Sequence, residues 1–147
     1  MKLDIITFDE SHLDAVCEIE RASFSDPWSD LAFRESAKAP FTEIFVALDD
    51  SGAICGYIAV NVIAPECEIL NLAVSSERRR LGIAGKLIEF VFDRAHKKGC
   101  HTVMLDVRES NTPAIEFYKK HGFYEVGIRK GFYSSPKENA LLMDRKL

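Results

Sequence analysis

Positive charge is not in excess in this sequence. Its 19 Lys and Arg face 23 Asp and Glu, a formal net charge of −4, whereas a nucleic-acid-binding domain is expected to be basic. No apolar run approaches the ~18 residues of a membrane span. No basic-then-apolar segment opens the chain, so no export signal is expected. Cys17, Cys55, Cys67 and Cys100 are scattered without a CxxC pair, and read as reduced thiols of a cytoplasmic protein. His12, His96, His101 and His121 show no ligand spacing, so no metal is expected. Repeats, low-complexity tracts and interdomain linkers are missing as well. Residues 1–147 therefore read as one domain, long enough to bury a core. A content of 47% hydrophobic and 29% charged residues is that of an ordinary soluble protein.

The hydrophobic pattern divides the chain into strands and helices. Lys2–Phe8 reads as a strand. Asp9 can cap a helix over about Glu10–Ser23, where Leu13, Val16, Cys17 and Ile19 or Glu20 mark one face. Ser25-Asp26-Pro27-Trp28-Ser29 breaks it, and Ser29 or Asp30 caps a short helix to about Lys38. Glu43–Leu48 and Cys55–Ile63 read as strands joined by the turn-like Asp49-Asp50-Ser51-Gly52. Glu66–Val74 is a further strand. A helix over Gly82–Lys98 places Ile83, Leu87, Ile88, Val91, Phe92 and Ala95 on one stripe. Thr102–Val107 has the nearly continuous apolar character of a central strand buried on both faces. Ser110-Asn111-Thr112-Pro113 starts a helix that runs through Ala114–His121. Phe123–Ile128 and Ala140–Arg145 are the last strands, with Arg129–Asn139 a loop between them.

The order β-α-α-β-β-β-α-β-α-β-β implies an α/β (α+β) fold with a mixed sheet of about six or seven strands and about four helices. The strands before and after the Gly82–Lys98 helix should be parallel neighbours. In open sheets of this kind ligands gather at the carboxyl ends of strands. That gathers Asn71–Val74, Asp106–Asn111 and the Arg78–Gly85 junction around one site. The junction is the most informative stretch. Arginines, then Gly82, Ala84 and Gly85, precede a helix whose first N–H groups have no internal partners. Small residues there let a phosphate approach the positive end of the helix dipole.

Arg79-Arg80-Leu81-Gly82-Ile83-Ala84 resembles the R/Q-x-x-G-x-G/A loop of the GNAT acetyltransferases, with alanine at the third small position. Asn71-Leu72-Ala73-Val74 looks like that fold's fourth strand. Ser110-Asn111, Ala114-Ile115-Glu116-Phe117-Tyr118 and Gly122-Phe123 look like its later motif. The resemblance covers the whole chain. Leu105–Asn111, the Ser25–Ser29 loop and Phe132-Tyr133 are similar to the RimI-type N-terminal alanine acetyltransferases.

The resemblance implies acetyl-CoA as acyl donor and a primary amine as acceptor, here the N-terminal alanine of a small-subunit ribosomal protein. It implies a pyrophosphate site at Arg79, Arg80, Leu81, Gly82, Ile83, Ala84 and Gly85. The pantetheine arm would lie along the backbone of Leu72, Ala73 and Val74 and touch Asn111. It implies Tyr118 as general acid and matches Asp106 to the family's general base, usually a glutamate. The alternative for Asp106 as plain sequence is a strand-end cap or an ion pair with Arg108, and Glu68 and Glu66 are the fallback bases. Phe24, Ser25, Trp28 and Tyr133, with Glu68, could wall an acceptor groove. A monomer or weak dimer in the cytoplasm, with no nucleic acid, membrane or metal partner, completes the reading. Its alternatives are a GNAT for a lysine side chain or a small-molecule amine, and an acetyl-CoA-binding module with impaired catalysis.

Overall fold

The computed structural model describes residues 2–79 and 81–147. Arg80, one of the expected pyrophosphate-site residues, lies outside them. The elements are β1 (Asp4–Thr7), α1 (Leu13–Ser23), α2 (Asp30–Lys38), β2 (Thr42–Leu48), β3 (Ile54–Ile63), β4 (Glu66–Val74), α3 (Ile83–Lys97), β5 (Thr102–Arg108), α4 (Thr112–Lys120), β6 (Tyr124–Ser134) and β7 (Lys137–Lys146). Single 3-10 turns, Glu10–His12 and Ser76–Arg78, precede α1 and follow β4.

Local chemistry fixes the helix starts. The Asp9 carboxylate accepts from the Ser11 N–H at 2.8 Å, while His12 Nδ1 accepts from the Asp9 N–H at 3.0 Å. This reciprocal box caps the 3-10 turn Glu10–His12 that leads into α1. Ser29 caps α2 by accepting from the Ala32 N–H at 3.1 Å. Asn111 caps α4 by accepting from the Ala114 N–H at 3.3 Å, with Pro113 in the first turn.

The seven described strands form one sheet in the order β1-β2-β3-β4-β5-β7-β6. Only β4 and β5, linked through α3, are parallel, as the crossover rule requires. Helix α3 covers one face, burying all six residues of its stripe against Ile58, Cys67, Ile69, Val103 and Leu105. On the other face Leu13, Val16, Cys17 and Phe33 of α1 and α2 pack on Ile44, Val46, Tyr57 and Ala59. The four cysteines are buried and free.

Two expectations are corrected. Strand β5 is not buried on both faces: Val103, Leu105 and Val107 are buried, but Thr102, Met104 and Asp106 are only half-buried. Its apolar character suits the α3 side, and of the half-buried residues Asp106 lines a cavity. Residues 129–139 are not a loop either. Strands β6 and β7 continue through them, pairing Arg129 with Ala140, Tyr133 with Glu138 and Ser134 with Lys137, with an irregularity between Arg129 and Tyr133. The turn is only Ser135-Pro136. This arm of the hairpin stands in solvent over most of its length, so no in–out alternation of apolar residues betrays it.

Candidate active site

The site begins where two parallel strands stop pairing. Strands β4 and β5 are in register from Glu66 opposite Thr102 to Ile69 opposite Leu105, and no further. On its other side β4 pairs Ile69 with Val60 and Asn71 with Ala59, which leaves Leu70 as an extra residue. Such a bulge bends a strand and interrupts its ladder. Beyond it β4 stays with β3, through Asn71–Val74, and β5 stays with β7, through Asp106–Arg108. The facing backbone edges of the two strands have no partner strand. The bulge also shifts the alternation of side chains. Cys67, Ile69, Leu72 and Val74 pack with the α3 core, whereas Leu70 and Ala73 pack with the α1–α2 core.

Two cavities lie against this gap. One, of about 430 Å³, is walled by Glu20, Phe24 and Trp28, by Glu68–Leu72 of β4, by Leu105–Arg108 of β5, by Asn111, Ala114 and Tyr118, and by Phe132 and Tyr133 of β6. The other, of about 720 Å³, is walled by Val74, Arg78, Arg79, Gly82–Lys86, Glu89, Phe117, Lys120 and His121. Helix α4 serves both, with Tyr118 on the first and Phe117 on the second.

The second cavity holds the Arg/Gly junction. Gly82 precedes α3 at φ +77°, a left-handed backbone that a Cβ disfavours. No described side chain caps α3, and its first turn carries no acid. Its leading N–H groups therefore have no capping acceptor and no acid in their own turn to offset the positive end of the helix. Gly85 faces His121, whose Cε1 would lie 3.3 Å from a Cβ at that position. Ala84 also lines the cavity. Leu81 is exposed and Ile83 is buried in the core, so neither side chain is positioned as the glycines' backbone is. Arg79 lines the cavity, but Arg78 also braces the fold, pairing with Asp49 at 2.5 Å. The Ser51 hydroxyl first, then the Ser51 N–H and Arg78, hold the Asp49 carboxyl down to about 2.

The first cavity holds the titratable groups. Glu68 and Asp106 share it, and neither makes a hydrogen bond or ion pair to a described residue. Burial, and then the nearby Asp106 charge, raise the Glu68 carboxyl above its ordinary range. Burial raises the Tyr118 phenol, with Tyr133 adding to it. Tyr133 is pushed up to about 12 by burial and then by Asp106. Asp106 and Arg108 do not pair. Arg108 instead meets Glu138 at 3.3 Å and Asp26 at 3.6 Å.

Phe24, Trp28, Glu68 and Tyr133 are brought together as expected of a groove wall. Trp28 also stacks edge-on against Phe33, ring centroids 5.1 Å apart. Ser25 is at the rim instead, its hydroxyl donating to the Ser135 carbonyl at 2.9 Å. Leu72 and Asn111 line the first cavity and Val74 the second, while Ala73 is buried on the α1 side.

Sequence reasoning missed Glu20 as a site residue. It is 1% exposed and accepts hydrogen bonds from the Tyr57 hydroxyl, from Asn71 Nδ2 at 3.0 Å to each oxygen, and from the Trp28 N–H at 2.8 Å. Burial and the Glu20 charge push the Tyr57 phenol up. One carboxylate thus ties α1, β3, the bulged part of β4 and the α1–α2 connection together. The signal was its position: Leu13, Val16, Cys17 and Glu20 follow i, i+3, i+4, i+7 spacing, so an acid stands in an apolar stripe.

The family model of the acetyltransferase (GNAT) family matches residues 13–123, and the chain belongs to that family. Among its relatives is the ribosomal protein bS18-alanine N-acetyltransferase of Escherichia coli strain K12, 29% identical over 141 residues, 95% of this chain and 94% of the relative. The crystal structure of the ribosomal-protein-S18-alanine N-acetyltransferase from Escherichia coli superposes with a TM-score of 0.89 at 27% identity, covering 99% of this chain and 94% of that one. Ard1 from Thermoplasma volcanium superposes with a TM-score of 0.92 at 25% identity, covering 100% and 99%.

Proposed function

We propose that this protein transfers the acetyl group of acetyl-CoA to the α-amine of an N-terminal alanine, and that its acceptor is the small-subunit ribosomal protein bS18. The observation that carries the reading is the pair of cavities at the β4–β5 gap. One has a phosphate cradle; the other brings Glu68 and Asp106 together with Tyr118. The names of the relatives point to the same acceptor. A cytoplasmic enzyme is the reading that fits an acceptor on the small ribosomal subunit.

The residues divide the work as follows. The N–H groups after Gly82 bind the pyrophosphate, and the flanking cations Arg79, Lys86 and Lys120 favour its charge. The free edge of Leu72–Val74 pairs with the amide-bearing pantetheine arm as a strand would. A backbone N–H there polarises the thioester carbonyl and stabilises the developing oxyanion. The acceptor nitrogen bonds to the carbonyl carbon and the carbon–sulfur bond breaks. Asp106, beside Glu68, takes the ammonium proton before the attack; Tyr118 gives its proton to the leaving sulfur and is restored by the second proton that the nitrogen sheds as the amide forms. Burial keeps that phenol protonated until it is needed.

The modest base fits an α-amine. With a pKa near ~8 it is roughly a tenth neutral at pH 7, whereas a lysine amine near ~10.4 is about 0.04% neutral. Deprotonating lysine would cost about 3 kcal/mol more.

The test is mass spectrometry of acetyl transfer to peptides beginning with Ala, Ser, Met or Lys, beside N-terminally blocked controls. Label on the α-amine of the alanine peptide, absent from its blocked form, is expected. Label only on lysine side chains, or none with tight acetyl-CoA binding, would overturn the reading.

A further inference from the structure

Two segments roof the first cavity. The connection between α1 and α2, residues 24–29, contributes Phe24, Asp26 and Trp28; the β6–β7 hairpin contributes Phe132 and Tyr133. The sheet register places no ladder between them. Arg108, the last residue of β5, reaches both. Its Nη1 donates to the Pro136 carbonyl at 2.8 Å and to Glu138 Oε1 at 3.3 Å. Its Nη2 donates to the Ser135 carbonyl at 3.1 Å and lies 3.6 Å from Asp26 Oδ2. The guanidinium carbon stands 4.3 Å from the centre of the Tyr133 ring. The Ser25 hydroxyl, on the same Ser135 carbonyl at 2.9 Å, forms a second link between the two segments.

We propose that Arg108 is a positioning residue for the acceptor: it clamps the α1–α2 connection to the β6–β7 hairpin and so sets the shape of the pocket that receives the amine. Its charge is already met by Asp26 and Glu138, and its side chain is only 17% exposed, so it has little left to offer a substrate directly. A planar, five-donor guanidinium can hold two carbonyls, two carboxylates and a ring face together; an ammonium cannot. The Tyr133 ring, held by this stack, and Asp26, held by the ion pair, are the walls whose placement depends on it. This proposal rests on the acetyl-transfer reading for its kinetic part alone.

The experiment compares Arg108→Met and Arg108→Lys with the unaltered protein. For Arg108→Met, KM for the alanine peptide is expected to rise on the order of tenfold, with KM for acetyl-CoA and kcat held within about twofold. Arg108→Lys should fall between, since it keeps charge without the fork. Hydrogen exchange followed by mass spectrometry should show residues 24–29 and 131–138 gaining exchange together, with α3 and β3 unchanged. That readout needs no acceptor, so it tests the clamp even if no peptide is acetylated, an outcome that would sink the functional reading instead. Exchange that rises in one segment alone or in neither overturns the proposal. So do an equal rise in both KM values and a fall in kcat at constant peptide KM. If Arg108→Met does not fold, Arg108→Lys carries the same readouts.

Discussion

The parallel ladder ends at the pair Ile69 and Leu105; Glu68 stands one residue before that end on β4 and Asp106 one residue beyond it on β5, and both line the first cavity. The two carboxyls therefore face one space from either side of the point where the strands part. Burial, and then the Asp106 charge across that space, raise the Glu68 carboxyl.

Asp106→Asn is expected to lower kcat/KM by on the order of 10²-fold or more, the usual scale of a lost general base. Glu68 is raised by burial first and by Asp106 second. Losing that neighbouring charge should move the acid limb of the residual pH–rate profile to lower pH. A full rate with an unmoved limb would remove Asp106 from the proton path. In stability the sign is opposite to that of an ordinary paired carboxylate. Because the folded pKa is raised, Glu68's contribution is present below its unfolded pKa and lost as pH rises through the folded one.

Tyr118→Phe should keep acetyl-CoA affinity and lose turnover by about 10²–10⁴-fold. The ring packs against Phe117 and Phe123, with centroids 5.3 and 5.4 Å away, and phenylalanine preserves both contacts. Isothermal titration with acetyl-CoA beside steady-state kinetics checks the split; equal turnover would show that the sulfur finds its proton elsewhere.

Glu20→Ala should destabilise the protein by about 3–5 kcal/mol, the scale of breaking a buried charged network. It strands the Tyr57 hydroxyl, the Asn71 amide and the Trp28 N–H together. Urea denaturation measures it. Trp28, the only tryptophan, reports the local change through its fluorescence.

Gly82→Ala should cost about 1–2 kcal/mol of stability, because a residue with a Cβ must hold φ near +77°. The substitution meets no steric neighbour within 4 Å, so the penalty is conformational. Its companion effect, weaker CoA binding read by titration calorimetry, follows if the helix start shifts to relieve the strain.

Asp49→Asn tests the brace behind the Arg/Gly junction. The native carboxyl is depressed to about 2, so its contribution is present above its unfolded pKa and disappears as pH falls through about 2. The difference in melting temperature between variant and parent should be clear at pH 7 and close as acid is added. A pH-independent difference would mean that the hydrogen bonds to Ser51 and Ala53, not the charge, hold the turn.

The legible parts of this fold were those governed by short-range pattern. The α3 stripe from Ile83 to Ala95 and the bounds of β4 at Glu66 and Val74 follow from periodicity and flanking residues. The Gly82 junction follows from residue size. Less legible were features made by residues distant in sequence. Leu70 gives no local hint of its bulge, because only the partner register defines it. Arg108 reads as a neighbour for Asp106, yet its carbonyl partners lie 27 and 28 residues away. The exposed half of the β6–β7 hairpin resembles a loop because backbone pairing, rather than apolar burial, makes it a strand.

Leu70 shapes the candidate site by a count of one. Were that residue deleted, Asn71 would follow Ile69 directly, and β4 could continue zipping onto β5 past Leu105. Hydrogen bonds would be gained, and the slot between the strands would close. The proposed chemistry needs a sheet prevented from completing itself, so the deletion that most regularises the architecture is also the one that should abolish acetyl transfer.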